Sequence, residues 1–114
     1  MQHTLKTAAV FTGLGLHSGA PVTMTVRAAP ADHGIWFRRS DVTDADARVP
    51  ARWDAVVPSG LCTLLANAAG TTVSTVEHVM AALAGCAIQN AEIEIDGPEV
   101  PILDGSAALF VEGF

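Results

Sequence analysis

The chain is short of basic residues, of cysteine and of long apolar runs, and each shortage narrows what it can do. Its 6 Lys and Arg stand against 12 Asp and Glu over 114 residues, giving a formal net charge of −6. A surface that neutralises phosphates needs clustered cations, so this balance argues against non-specific nucleic-acid binding. No apolar run reaches the roughly 18 residues of a membrane-spanning helix. The opening MQHTLKTAAVFTGLG also lacks the apolar core and cleavage site of a signal peptide. A soluble cytoplasmic protein is the expectation. The 2 cysteines, Cys62 and Cys86, are too few for a disulfide scaffold and do not form C-x-x-C. Both are expected reduced and buried. Tandem repeats, low-complexity tracts and internal linkers are absent, and the length fits one domain burying about 65 per cent of its unfolded surface.

Two ligand-binding signatures are missing as well. The loop Gly13-Leu14-Gly15 is not a dinucleotide fingerprint, because Ser18 occupies the third glycine position of G-x-G-x-x-G. No histidine has an acid or a second histidine four residues on: His3 precedes Thr7, His17 precedes Pro21, His33 precedes Phe37 and His78 precedes Ala82. A catalytic zinc ordinarily takes three protein ligands, and no local motif here assembles them.

What is there is concentrated in residues 71–85, TTVSTVEHVMAALAG, and in the adjacent pair Glu77-His78. Ser74 reads as a helix N-cap and Ser74-Thr75-Val76-Glu77 as a capping box, so a helix is predicted just after Ser74, closed by Gly85. Val76, Met80, Leu83 and then Cys86 or Ala87 recur at helical spacing and are expected to face the core. A second stripe, His78, Ala81, Ala82 and Gly85, surrounds one imidazole with small residues and leaves room for close approach. The positive end of the helix dipole disfavours imidazolium and keeps His78 a neutral donor. Two readings of the pair stay open. Either it is an acid/base and metal-ligating pair, or Glu77 satisfies a backbone N–H at the helix start and His78 is half-buried against a backbone partner. In the first case this helix offers a metal a single ligand.

In chain order, strands are predicted over 5–11, 22–26 and 35–37, the last ending at Arg38-Arg39. An acidic loop covers 41–46, and an extended stretch 48–51. A turn at 58–60 leads to a strand over 61–65, then a hairpin connection at 67–70 into residues 71–73. After the helix, Ala91, Ile93 and Ile95 alternate with acids over 90–96. Residues 100–103 are short and apolar, and a second helix starts at Ala107. Strands first, then helix, strand and helix, indicate an α+β fold, a mostly antiparallel or mixed sheet with helices on one face. Among lesser candidates, His17 sits on a glycine-rich loop that a ligand or solvent could occupy. Asp104 reads as the cap of the last helix and Cys62 as core. Arg38-Arg39 is a solvated strand end that an anion could use, and His3 and His33 have no supporting pattern.

Four segments are familiar in combination: Thr12-Gly13-Leu14-Gly15-Leu16-His17-Ser18-Gly19, Gly34-Ile35-Trp36-Phe37-Arg38-Arg39, Val73-Ser74-Thr75-Val76-Glu77-His78-Val79-Met80 and Glu99-Val100-Pro101-Ile102-Leu103-Asp104-Gly105-Ser106-Ala107. Together they resemble the N-terminal half of the UDP-3-O-acyl-N-acetylglucosamine deacetylases, zinc enzymes of bacterial lipid A synthesis, over nearly the whole chain. The resemblance implies two similar α+β domains with the active site between them, residues 1–114 being the first. It implies that His78 is a Zn2+ ligand and Glu77 the general base. It further implies that His17, Leu61 and Cys62 edge the site for the acylated UDP-N-acetylglucosamine substrate, and that Asp104 is structural. A His-x-x-x-Asp motif supplying two more ligands, a catalytic histidine, a lysine and an oxyanion-stabilising threonine would belong to a second domain absent from this chain. The implied reaction is metal-assisted hydrolysis of the acetamide to amine and acetate. Gln89 departs from the family's usual Asp before Asn90, and Gly60-Leu61-Cys62-Thr63 replaces a more Thr-rich run; neither change touches the Glu-His pair.

The alternative, from another class, is a non-catalytic binding module or an inert truncation product. With a partner domain missing, a bare apolar face is expected to make the isolated chain self-associate or dissolve poorly. Light scattering checks this, and a well-behaved monomer counts against a missing partner surface.

Overall fold

The structure, a computed structural model, describes residues 2–52, 55–57, 63–103 and 107–114. In chain order the elements are β1 (Ala9–Leu14), β2 (Pro21–Ala28), β3 (Ile35–Arg39), β4 (Arg48–Pro50), β5 (Val56–Val57), β6 (Leu64–Ala66), β7 (Thr72–Ser74), α1 (Glu77–Gly85), β8 (Ala91–Ile95) and α2 (Ala108–Gly113). Five strands form one sheet in the order β1-β2-β8-β3-β4, and β5-β6-β7 form a second. Every pairing is antiparallel except β3 with β8. The expected α+β class, a mostly antiparallel sheet layered with two helices, is what the chain adopts.

Strand β8 shows why the sheet has two unlike faces. Its apolar residues Ala91, Ile93 and Ile95 are fully buried. They join Phe11, Met24, Val26 and Phe37 of the sheet, and Val79, Leu83 and Phe110 of the helices, in one core. The alternate residues Glu92 and Glu94 point the other way into ion pairs, Glu92 with His33 and Arg48, Glu94 with Arg38 and Arg27. Period-two side-chain direction thus sends one set to the core and the other to a charged outer face. Arg38 and Arg39 are committed here, Arg39 to Asp41 and to the carbonyl of Thr72, so the strand end is ion-paired. At the first strand, pairing with β2 runs from Ala9 opposite Val26 to Leu14 opposite Pro21, which shifts β1 later than the predicted 5–11. Gly13 and Leu14 are therefore ladder residues, and the turn falls at 16–18.

The helix start differs from its prediction. Ser74 belongs to β7, and both its amide, at 2.8 Å, and its hydroxyl, at 3.2 Å, donate to the carbonyl of Pro98. The N-cap is Val76 with no side-chain cap, and Glu77 is the first helical residue. A serine engaged by a neighbouring segment cannot cap, so the capping box does not form. The buried stripe of α1 is Val79, Ala82 and Leu83, with Met80 partly buried against the core and Ala81 and Gly85 exposed. Ala82 therefore belongs to the core, and the stripe of small residues beside His78 reduces to exposed positions. Helix α1 ends at Gly85, but the chain reverses at Ala87, whose φ is 56°. Ala87 donates to Ala84 and Ile88 to Leu83, the paired bonds of a Schellman motif. Cys86 is half-buried and reduced. The expected turn at 58–60, Cys62 as core and Asp104 as a cap lie outside the described residues.

Helix α2 is anchored by Phe110, fully buried and edge-on to Phe11 at a 5.0 Å centroid distance. Replacing Phe110 with Ala removes that ring and leaves a cavity, so Phe110→Ala should cost about 3–5 kcal/mol in a urea denaturation curve. A loss below about 1 kcal/mol would show that α2 is not part of the cooperative core.

Candidate functional site

The chain passes from β7 to α1 through only two residues, Thr75 and Val76. Thr75 adopts a φ of 60°, a left-handed conformation uncommon for a β-branched residue. Its amide donates to the carbonyl of Thr63 at 2.9 Å, and its hydroxyl to Glu99 Oε2 at 2.8 Å. That sharp reversal sets Glu77 and His78 at the first two helical positions. Both are half-buried. Oε1 of Glu77 accepts the Thr63 N–H at a long 3.4 Å, so the carboxylate turns toward the β6 side of the junction. Among the described residues, the His78 ring makes no hydrogen bond, and the backbone partner of the second reading is absent there. An apolar groove of about 180 Å³ lies beside the junction, lined by Val56, Thr63, Leu65, Val76 and Met80 among others.

The residue that organises this corner is Glu99. Its side chain is only 3% exposed, yet no cation pairs with it among the described residues. Backbone amides and hydroxyls hold it instead. The His17 amide donates to Oε1 at 3.1 Å and to Oε2 at 3.0 Å, the Ser18 amide to Oε1 at 3.0 Å, and the Thr75 hydroxyl to Oε2. Burial pushes the Glu99 carboxyl up, but the Ser18 and His17 amides and the Thr75 and Ser18 hydroxyls together outweigh it and hold the group below its ordinary value of 4.5. A carboxylate cradled by successive backbone amides is the anion-nest arrangement, with the anion supplied by the protein itself. Gly15 makes it possible: a Cβ there would overlap the Glu99 carboxylate and the Ser18 hydroxyl.

The structure thus brings the His17 loop and the Glu77-His78 helix start to one carboxylate. The His17 side chain itself is exposed, and no hydrogen bond joins its ring to Glu77 or His78. Leu61 and Cys62 lie outside the described residues. Sequence reasoning left Glu99 without a role, because its donors lie 24 to 82 residues earlier in the chain. As a metal site the described residues are a fragment. They hold no group of three or more His, Cys, Asp and Glu that could enclose an ion. An imidazole with no hydrogen bond among the described residues, next to a carboxylate in the chain, fits one ligand and one base of a zinc centre, with further ligands required from elsewhere.

Fold and site together define an α+β domain that presents one carboxylate and one imidazole, Glu77 and His78, at the start of a helix. The chain belongs to the UDP-3-O-acyl N-acetylglycosamine deacetylase family, whose model matches residues 2–114. It is 52% identical over 110 residues to the UDP-3-O-acyl-N-acetylglucosamine deacetylase of Phenylobacterium zucineum (strain HLK1), covering 96% of this chain and 38% of that protein. The deacetylase of Anaeromyxobacter sp. (strain Fw109-5) is 56% identical over 110 residues, covering 96% and 35%. The chain therefore spans little more than a third of these relatives' length, their N-terminal part.

The depressed Glu99 carboxyl has a definite sign in folding. Its stabilisation is complete above 4.5 and is lost as pH falls through the lower folded value. Unfolding free energy should accordingly drop on acidification below that point, and in Glu99→Gln this part of the acid dependence should vanish. Parallel pH–stability curves for the two proteins check it.

Proposed function

We propose that this chain is the N-terminal domain of a zinc-dependent deacetylase that hydrolyses the acetamide of a 3-O-acylated UDP-N-acetylglucosamine to free amine and acetate in lipid A biosynthesis. The observation that carries the reading is the His78 imidazole, half-buried at a helix start, unbonded among the described residues and next to a carboxylate, in a chain that the family model spans. Zinc, when bound, supplies Lewis acidity that polarises the amide carbonyl and acidifies a water. His78 holds it as one ligand through a ring nitrogen. Glu77 is the general base: Thr63 fixes Oε1, and Oε2, with no hydrogen bond among the described residues, takes the proton of the attacking water. The water oxygen bonds to the acetamide carbon, the carbon–nitrogen bond breaks, and the glucosamine nitrogen leaves after receiving a proton from a group outside this chain. His17, Leu61 and Cys62 edge the substrate site.

The remaining ligands belong to a second domain, so the 114-residue chain alone is inactive. Cytoplasmic residence follows from the same assignment; no helix among the described residues is long and apolar enough to cross a membrane.

In the complete enzyme, Glu77→Ala should lower kcat by about 100- to 10,000-fold while zinc content after dialysis stays near that of the parent. The reverse split is expected of His78→Ala, which should lose zinc. Turnover close to the parent's in the Glu77 variant would remove the role assigned to that carboxylate.

A further inference from the structure

We propose that Glu99 is a positioning residue of the hydrolytic site, holding the His17 loop and the Glu77-His78 helix start in fixed relation through its two carboxylate oxygens. The proposal rests on the roles given above to Glu77 and His78. It begins from a division of labour within one buried carboxylate. Oε1 accepts both loop amides, of His17 and Ser18, while Oε2 accepts the Thr75 hydroxyl and shares the His17 amide. One side of the group therefore addresses a loop of the large sheet and the other the two-residue junction that launches α1. The Glu99 backbone repeats the connection. Ser74 and Glu99 form a parallel bridge, Ser74 donating to Pro98 at 2.8 Å and Val100 to Ser74 at 3.1 Å.

The geometry makes this more than ordinary stabilisation. Thr75 is 4% exposed and left-handed, and a backbone in that conformation persists only where its surroundings over-determine it. Its hydroxyl bond to Glu99 is one of two side-chain and backbone bonds that fix it, the other being its amide to Thr63. Glu77 begins the helix two residues later, and its own carboxylate leans on the Thr63 amide. Releasing Oε2 of Glu99 therefore frees Thr75 to relax toward ordinary φ and swings the first turn of α1, carrying base and ligand with it. Releasing Oε1 frees the His17 loop. Alanine at position 99 removes both acceptor oxygens and so breaks both sides, whereas glutamine would keep one oxygen for the loop amides. Thr75→Val keeps the shape and breaks only the helix side.

The test uses the complete enzyme with zinc as the probe. Apo protein is titrated with zinc against a chelator, and steady-state kinetics are measured at a temperature where circular dichroism shows each variant folded. Thr75→Val is expected to weaken zinc binding and lower kcat by about 10-fold, the low end of what loss of support around a metal ligand costs, with KM little changed. Glu99→Ala is expected to do the same and to raise KM through the released loop. The double variant should be no worse in zinc affinity than Glu99→Ala alone, since both remove the same bond. If Glu99→Ala does not fold, Thr75→Val carries the test by itself. A drop in melting temperature with parent-like zinc affinity and kcat in Thr75→Val overturns the proposal, leaving the bond merely structural. His78→Ala runs in parallel: parent-like zinc binding there would overturn the functional assignment itself. Loss of zinc in His78→Ala with no change in Thr75→Val would overturn only the role of Glu99.

Discussion

An ionised carboxylate held away from water with no cation beside it is ordinarily among the costliest things a small domain can contain, and among the described residues the corner where the His17 loop meets the start of α1 is arranged around one. Moving such an ion inside costs several kcal/mol after relaxation. Each hydrogen bond from a neutral donor to a charged acceptor returns about 1.5–3 kcal/mol. Glu99 accepts from two amides and from the Thr75 hydroxyl, so the balance is close to even or favourable. The depressed carboxyl agrees with that balance. Each donor comes from a different point on the chain than Glu99 itself, so the group is stable only while the loop, the junction and the 98–102 segment are assembled together. The ion acts less as a source of stability than as a condition on geometry.

That condition accounts for the strained residue beside it. A left-handed Thr75 costs about 1–3 kcal/mol relative to a relaxed residue. What the strain accomplishes is a change from strand to helix within two residues, with no loop between. A longer connection would let the first turn of α1 fray, as uncapped helix ends do. Here the helix has no side-chain cap, and its first residue is a carboxylate near the positive end of the dipole. Glu77 thus gains from the helix terminus without being consumed by it.

The broad architecture was legible in the sequence because alternation and turn residues are local signals. The β8 pattern, the turn before Ile35 and the Asn67–Gly70 connection all depend on neighbours two to four residues away. The Glu77-His78 pair was legible too, as an acid and an imidazole at a helix start. What could not be read locally were features decided by distant partners. Ser74 has every mark of an N-cap, yet Pro98, 24 residues on, takes its hydroxyl. Gly85 has the mark of a helix stop, but the left-handed residue is Ala87, tolerated because Leu83 and Ala84 carbonyls satisfy the reversal. Along α1, Val76 and Leu83 are buried and Met80 packs on the core as their spacing indicates, while Val79 and Ala82 widen the buried stripe beyond it. Glu99 was visible as a motif letter and silent as chemistry: its donors lie 81 and 82 residues earlier and 24 earlier, beyond any pattern of spacing.

The same segment ties the corner to both sheets. Residues 98–102 run as a lace across the gap. Gly15 bridges Pro101 and Ile102 donates to Leu14, which ties the segment to the end of β1 in the large sheet. Ser74 bridges Glu99, which ties it to β7 in the small one. Isolated bridges are weak alone, since each adds only one or two backbone bonds of about 0.5–1.5 kcal/mol. The Glu99 carboxylate, projecting from the middle of the lace, adds charge-assisted bonds to the elements on either side. The sheets also meet where Arg39 of β3 donates to the Thr72 carbonyl of β7 and Asn67 donates to the Asp46 and Arg48 carbonyls, and the Glu99 carboxylate adds a further tie at the seam that carries Glu77 and His78. The requirement reaches back into the sequence at Gly15, where any side chain would collide with the anion, so the smallest residue in the loop is set by the most demanding one across the seam.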